Sequence, residues 1–384
     1  MRYQLRYVRL TRHHGQDGVQ STRSTERPAS TPTAAATVPG VVPSPLPAER
    51  GAACAWVGGR WATGLMEVRT DTAALDEPGF WVVVGTFEGA WTCARFARVE
   101  PVAGPPTSGG WPDVHPGAWS SSLSQRRYED AVQAVRSLVA AGEVYQVNLC
   151  RVVRAPVPDD ADLSSLAGRL VGGNPAPHAA RVLVPEAGID LVSASPELYL
   201  ERQGSQVRSA PIKGTGRVPE DLAAKDVAEN VMIVDLVRND LGRVCVPGSI
   251  GVDDVLAVQD HPGLVHLVST VRGRLAPARG WADLLAATFP PGSVSGAPKS
   301  TALRAIRSLE PVPRGPYCGA VGWVDGEHGV LAVGIRTFWR TEGALHFGTG
   351  AGITWGSDPR REWRETELKA HRLLGLTSST GRPR

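Results

Sequence analysis

The grouping of alternating apolar segments limits the possible folds more than any other feature of this chain. From residue 52 onward, short apolar stretches such as A-W-V-G-G-R-W and F-W-V-V-V-G-T-F-E-G are broken by glycines. Period-two alternation with glycine punctuation marks strands joined by turns. Further runs of this kind predict strands at 143–154, 180–184, 190–193, 198–202, 206–209, 264–275, 319–325, 330–339 and 344–350. Helical spacing predicts helices at 121–142, 220–241, 281–288, 299–309 and 358–374, the last capped by Ser357. In the first of these, Tyr128, Ala131, Val135, Leu138 and Val139 share a face and Gly142 closes the end. Strands clustered around a few helices favour an α+β fold over a regular βαβ wind.

The chain of 384 residues is long enough for an ample core. Residues 1–50 hold few large apolar side chains and are expected to form a disordered or weakly ordered tail. They are poor in acids, like a transit peptide, and lack the apolar core of a secretory signal. Residues 51–117 read as a β-rich portion ending in a Pro/Gly-rich linker, 118–376 as the catalytic domain and 377–384 as a tail. The net charge of +3 is small for this length and comes with no basic block, so nucleic acid is not implied. No apolar run approaches the roughly 20 residues of a membrane span. The five scattered cysteines predict reduced thiols and a cytoplasmic protein.

Of the 41 basic residues only four are lysines: Lys213, Lys225, Lys299 and Lys369. Lys213 lies in S-A-P-I-K-G-T-G, between the end of a strand and a Gly-Thr turn. Arginine stays charged, whereas an amine can lose its proton and act as nucleophile or base. A lysine at a glycine-flanked turn is therefore a candidate for that chemistry; the ordinary alternative is a drifted surface residue.

Two acidic pairs, Asp226 with Glu229 and Glu362 with Glu365, each lie three apart on a predicted helix and so share a face. Alone, each pair is an ordinary solvated face. Were the two helices to meet, the four carboxylates would need a cation, and Mg2+ beside an anionic substrate fits a site of few protein ligands. Lys369, one turn beyond Glu365, reaches an anion or forms an i, i+4 ion pair. The loop P-G-S-V-S-G-A-P-K, with Ser293, precedes a helix and exposes backbone N–H groups. F-G-T-G-A-G, with Gly350 and Gly352, allows close backbone approach to a ligand. Arg336 within V-G-I-R-T-F-W is a cation in an apolar strand, suited to a carboxylate or to a protein ion pair. His266 in L-V-H-L-V reads as a satisfied core residue or a catalyst, and Glu197 in S-P-E-L as a strand-edge carboxylate or a general acid/base.

Taken in order, S-A-S-P-E-L-Y-L, S-A-P-I-K-G-T, E-N-V-M-I-V-D-L-V-R-N-D-L-G-R-V, H-L-V-S-T-V-R-G, F-P-P-G-S-V-S-G-A-P-K, Y-C-G-A-V-G, I-R-T-F-W, G-T-G-A-G-I and S-D-P-R-R-E-W-R-E-T-E-L-K-A resemble the chorismate-utilising enzyme family. The resemblance covers residues 128–374, and against it the N-terminal portion is shortened. It implies two α/β lobes with antiparallel sheets packed face to face and helices outside. It also implies a glutamine amidotransferase partner that supplies ammonia, because no glutaminase cysteine elbow is recognisable in the chain.

Within the family, members that add water place a lysine base where this chain has Gln146. Glutamine cannot deprotonate water, so the resemblance implies ammonia as nucleophile. Members that form anthranilate resemble P-I-A-G-T, whereas P-I-K-G-T resembles the branch that forms aminodeoxychorismate, for para-aminobenzoate and folate or a specialised aromatic amine. The resemblance then implies that Lys213 attacks the ring, that Glu197 moves protons and that Thr215 lies near the nucleophile. Glu229 and Glu365 would bind Mg2+ directly, with Glu362 and Asp226 in the outer set; most relatives have glutamate at 226. Gly214, Ser293, Tyr317, Arg336, Gly350, Gly352 and Lys369 would hold the substrate, and His266 would stand near the ring. The anthranilate-forming activity is the alternative reading, and a non-catalytic chorismate-binding subunit is a further one.

Overall fold

The computed structural model describes residues 51–107, 110–216, 218, 220, 224–261 and 264–378. The expected tail at 1–50 and residues 379–384 lie outside the described residues. The chain opens with β1 (Cys54–Val57), β2 (Arg60–Arg69), β3 (Phe80–Gly85) and β4 (Trp91–Pro101). There follow β5 (Ser120–Ser121), α1 (Gln125–Ala140), β6 (Gln146–Pro156), α2 (Leu163–Gly173), β7 (His178–Val184), β8 (Ile189–Ser195), β9 (Leu198–Gln203), β10 (Gln206–Ala210) and β11 (Ile212–Gly216). The remainder is α3 (Ala224–Gly242), β12 (Gly251–His261), β13 (Leu264–Arg274), α4 (Trp281–Thr288), β14 (Gly296–Ala297), α5 (Lys299–Leu309), β15 (Ala320–Asp325), β16 (His328–Val333), β17 (Thr337–Thr341), β18 (Ala344–Ile353) and α6 (Pro359–Gly375).

The fold is α+β, and every strand pairing among the described residues is antiparallel. The strands form one continuous ladder in the order β6–β18–β17–β8–β7–β1–β2–β4–β3–β15–β16–β9–β10–β13–β12. β5 and β14 add to β6, and β11 adds to β13. Residues 54–101 are therefore the bridge between the two halves of the ladder, since β1 pairs with β7 and β3 with β15. The predicted division at the 101–117 linker is not a packing boundary. Asp76 accepts hydrogen bonds from Trp281 N (2.7 Å) and Ala282 N (3.3 Å), capping α4 where Gly280 has no side chain to do so. Glu88 likewise accepts from Arg314 N at 2.7 Å.

Local sequence explains the elements that carry the site. Tyr128, Ala131, Val132 and Val135 form the buried stripe of α1, Ser124 caps it, and the Tyr128 hydroxyl donates to Leu149 O at 3.1 Å. That bond ties α1 to β6. Trp81, Trp281 and Tyr128 are fully buried in the main core, each contributing roughly 1.5–3 kcal/mol or more by burial.

Several expectations need correction. α6 is capped by Asp358, which accepts from Arg361 N, and not by Ser357. The predicted strand at 330–339 is two strands, broken at Arg336, whose φ of 52° no regular strand accommodates. The chain stays packed through Ser378 and not 376: Thr377 O accepts from Trp111 Nε1 at 3.0 Å. Helix α2 and strand β12 were not expected. No helix among the described residues is long and apolar enough to cross a membrane. All five cysteines are buried free thiols.

Candidate active site

The site lies where the chain passes between the two halves of the ladder. β8 continues into β9 through Ser195–Leu198, and β16 leads to β17 through 334–336. The first crossing carries Glu197 and the second carries Arg336. The two are stitched together: Val333 N donates to Glu197 O at 3.0 Å, and the Ser195 hydroxyl donates to Val333 O at 2.6 Å.

Lys213 is not at a turn but within β11, next to a bulge where the register against β13 shifts between Ile212 and Thr215. Gly214 makes that bulge possible, with φ of 80°. The Lys213 amine donates to Ser293 O at 3.0 Å. Burial pushes its pKa down; Glu229 and Glu197 oppose that shift, Lys369 adds to it, and the net direction is downward. Glu197 is only 4% exposed. Burial pushes its carboxyl up to about 7, against the Ser293 side chain, Lys213, the Ile212 N–H and Arg336, all of which favour the charged form. An amine shifted toward its free base thus stands beside an acid that titrates near neutrality, the pairing that nucleophilic attack with proton transfer requires.

Ser293 sits in a short 3-10 turn, Gly292–Val294. Its loop is clamped at the base by Lys299, whose amine donates to Thr288 O (2.9 Å) and pairs with Asp240 on α3 (2.6 Å). Asn148 and Arg314 hold the same loop from β6's side by donating to Val294 O at 3.2 and 2.8 Å. These supports were not read from the sequence. The sequence marked the loop P-G-S-V-S-G-A-P-K and the segment Y-C-G-A-V-G that begins at Tyr317, but not Arg314 or Asn148.

The glycines of β18 leave room. A Cβ on Gly352 would lie 2.2 Å from Gln146 Nε2 and 3.6 Å from Glu229 Oε2, and one on Gly350 would lie 2.5 Å from Cys150 Sγ. Tyr317 packs its ring on Gly348, where a Cβ would come within 2.1 Å. Gln146 is 1% exposed, and neither its Nε2 nor its Oε1 has a partner among the described residues. A buried amide normally has its hydrogen bonds satisfied, so this one is poised for a small polar ligand. The Arg336 guanidinium makes no hydrogen bond or ion pair with a described residue, while burial and Arg372 push its pKa down. A half-buried cation of this kind is a receptor for an anion.

Among the described residues the acidic helices have their main packing elsewhere. α3 packs on β11 and β13, and α6 on α1 and β18. Their acids nevertheless border one space: Glu229 and Glu365 both act on the Lys213 amine, and Glu362 and Glu365 both act on Tyr128 and Lys369. Lys369 takes the ion-pair role, 2.7 Å from Glu365, and donates to Gly350 O at 3.1 Å. No three acidic, histidine or cysteine side chains among the described residues are close enough to hold a metal. The Asp226, Thr215 and His266 side chains lie outside the described residues; in the backbone, Thr215 pairs with His266. Carboxylate oxygens are the donors a hard divalent cation takes, but the described carboxylates do not converge into a ligand set.

A family model described as chorismate binding enzyme matches residues 90–375. Over 270 residues the chain is 38% identical to anthranilate synthase component 1 of Streptomyces coelicolor, covering 67% of this chain and 52% of that one. Over 271 residues it is 36% identical to aminodeoxychorismate synthase component 1 of Salmonella typhimurium, covering 67% and 59%. The chain thus spans about half the length of the curated relatives it matches. Among solved structures, anthranilate synthase component I from Streptococcus pneumoniae superposes with a TM-score of 0.71 at 20% identity, covering 88% of this chain and 94% of that one. The menaquinone-specific isochorismate synthase of Escherichia coli gives 0.71 at 17% identity, covering 85% and 88%. These two similarities concern the fold alone.

Proposed function

The chain belongs to the chorismate binding enzyme family, and on that premise we propose that it converts chorismate and ammonia to 4-amino-4-deoxychorismate, as an aminodeoxychorismate synthase component 1. One observation carries this reading: the Lys213 amine is held at 3.0 Å by the carbonyl of Ser293, which lines one cavity with the buried Glu197, and burial pushes the amine down and the carboxyl up to about 7.

Arg336 binds a ring carboxylate, and Tyr317 and the β18 glycines shape the space around it. The Lys213 amine attacks C2 of the ring, the double bond shifts, and the C4–O bond breaks. Glu197 gives its proton to the departing hydroxyl, which leaves as water. Ammonia then attacks C4, the double bond shifts back, and the C2–N bond to Lys213 breaks. The Gln146 amide, otherwise unpartnered, orients the ammonia and cannot deprotonate water in its place. Mg2+ held by Glu229 and Glu365, with Glu362 and Asp226 behind them, would neutralise a substrate carboxylate. Ammonia comes from a glutamine amidotransferase; the name "component 1" carried by relatives supports a second component.

The second reading is anthranilate formation, favoured by the 38–39% identity to proteins of that name. Incubation with chorismate, Mg2+ and ammonium salt separates the two. Aminodeoxychorismate without pyruvate, abolished by chelation, supports the first; fluorescent anthranilate with pyruvate supports the second. Binding of chorismate without turnover would leave only a binding subunit.

A further inference from the structure

Glu197 lines a cavity of about 20 Å3 that Lys213 and Arg336 do not line. Its polar lining comes from Glu197, Ser293, Ser209, Tyr199, Thr288 and Asp240. One water needs about 10–15 Å3 and several polar partners, so volume and lining both suit a single water. The lining includes a polar cluster that the proposed reaction does not use. The Tyr199 and Thr288 hydroxyls are 2.7 Å apart, and Thr288 Oγ1 donates to Leu284 O at 2.7 Å. Asp240 pairs with Lys299, and of the two the lysine side chain is the more exposed, 17% against 7%.

Protons must reach Glu197 by some route. In the proposed reaction its proton departs with the hydroxyl as water, ammonia adds as NH3, and the product keeps an ammonium. Glu197 is therefore left as a carboxylate once per turnover and needs one proton from solvent. At 4% exposure Glu197 has almost no direct contact with solvent, so that proton needs a path through the residues around it.

We propose that the cavity is a proton conduit, in which one water joins Glu197 to the Asp240–Lys299 pair and Asp240 acts as a positioning and relay residue. The Lys299 ammonium first passes a proton to Asp240; Asp240 then gives it to the water as the water gives one to Glu197, and Lys299 takes a proton from solvent. The charged groups facing Glu197 are Lys213 and Arg336, and those facing Asp240 are Lys299 and Arg243. Burial pushes Asp240 up and Lys299 down, which brings the pair closer to exchanging a proton.

The conduit rests on the role proposed for Glu197, so the test carries three variants. Asp240→Asn interrupts the relay; Val237→Leu keeps the ion pair and fills the cavity, which Val237 also lines. For each, chorismate consumption is followed with Mg2+ and ammonium, in H2O and D2O, over a range of imidazole concentrations. The conduit predicts about tenfold lower kcat with KM unchanged, a larger solvent isotope effect, and partial recovery of kcat as imidazole rises. Loss of kcat without isotope effect or recovery, or no loss in either variant, overturns the conduit. Should Asp240→Asn not fold, Val237→Leu decides by the same readouts. Glu197→Gln separates the two levels: it is expected to be inactive, and if it turns over normally, the role of Glu197 itself is overturned and the conduit with it.

Discussion

Replacing Glu197 by glutamine should stabilise the protein while removing its activity, and the stabilisation should depend on pH. Burial raises the folded carboxyl from an ordinary 4.5 to about 7. Between these values the folded state binds more protons than the unfolded chain, so stability falls as pH rises through the interval. Below pH 4.5 the group is protonated in both states and contributes no such loss. Above 7 the native protein carries a buried carboxylate, and at ~1.4 kcal/mol per tenfold change in proton affinity the full loss is roughly 3 kcal/mol. Gln keeps the shape and removes the charge. It also removes one attraction on the Lys213 ammonium, but Glu229, a stronger influence there, remains. The net expectation is a Glu197→Gln protein more stable than wild type by about 2–3 kcal/mol at pH 8.5. The advantage should shrink steadily toward pH 5. Urea unfolding midpoints of both proteins across pH 5–8.5 check this. A variant no more stable at pH 8.5, or an advantage constant with pH, would refute the reasoning that burial strains this acid.

Two further outcomes follow from the same geometry. Gly352→Ala places a methyl 2.2 Å from Gln146 Nε2; the displaced amide should lower ammonia-dependent turnover at least tenfold and cost about 1–3 kcal/mol of stability, with circular dichroism confirming the fold. Arg336→Gln should raise the KM for chorismate by one to two orders of magnitude, as expected when a partner of a charged carboxylate is lost, with a smaller change in kcat; steady-state kinetics separates the two.

Much of the site could be read in the chain because its chemistry sits on short, locally recognisable segments. Glu197 before β9, Ser293 in its Gly-Ser loop and the helical acid pairs needed no long-range information. The ladder order was hidden because β1 and β3 pair with strands that lie more than 100 residues away, and period-two alternation says nothing about partners. The break at Arg336 was equally silent, because a positive φ at a non-glycine residue is imposed by the crossing and not by propensity. At α6, Ser357 and Asp358 are both good caps, and only the backbone decides that Asp358 accepts from Arg361. Lys213 was legible as an unusual lysine, but its placement beside a bulge, facing Glu197 and the Ser293 carbonyl, required β11 to pair with β13.

The central claim is that Lys213 is the nucleophile on which the choice of product depends. Chorismate and Mg2+ without ammonia should let the lysine adduct accumulate, because the second displacement has no nucleophile. After rapid quench and digestion, mass spectrometry should find chorismate minus one water attached to Lys213, and nothing attached in Lys213→Ala. Accumulation of the adduct at another residue, or steady amination of chorismate by Lys213→Ala when ammonia is supplied, would contradict the account.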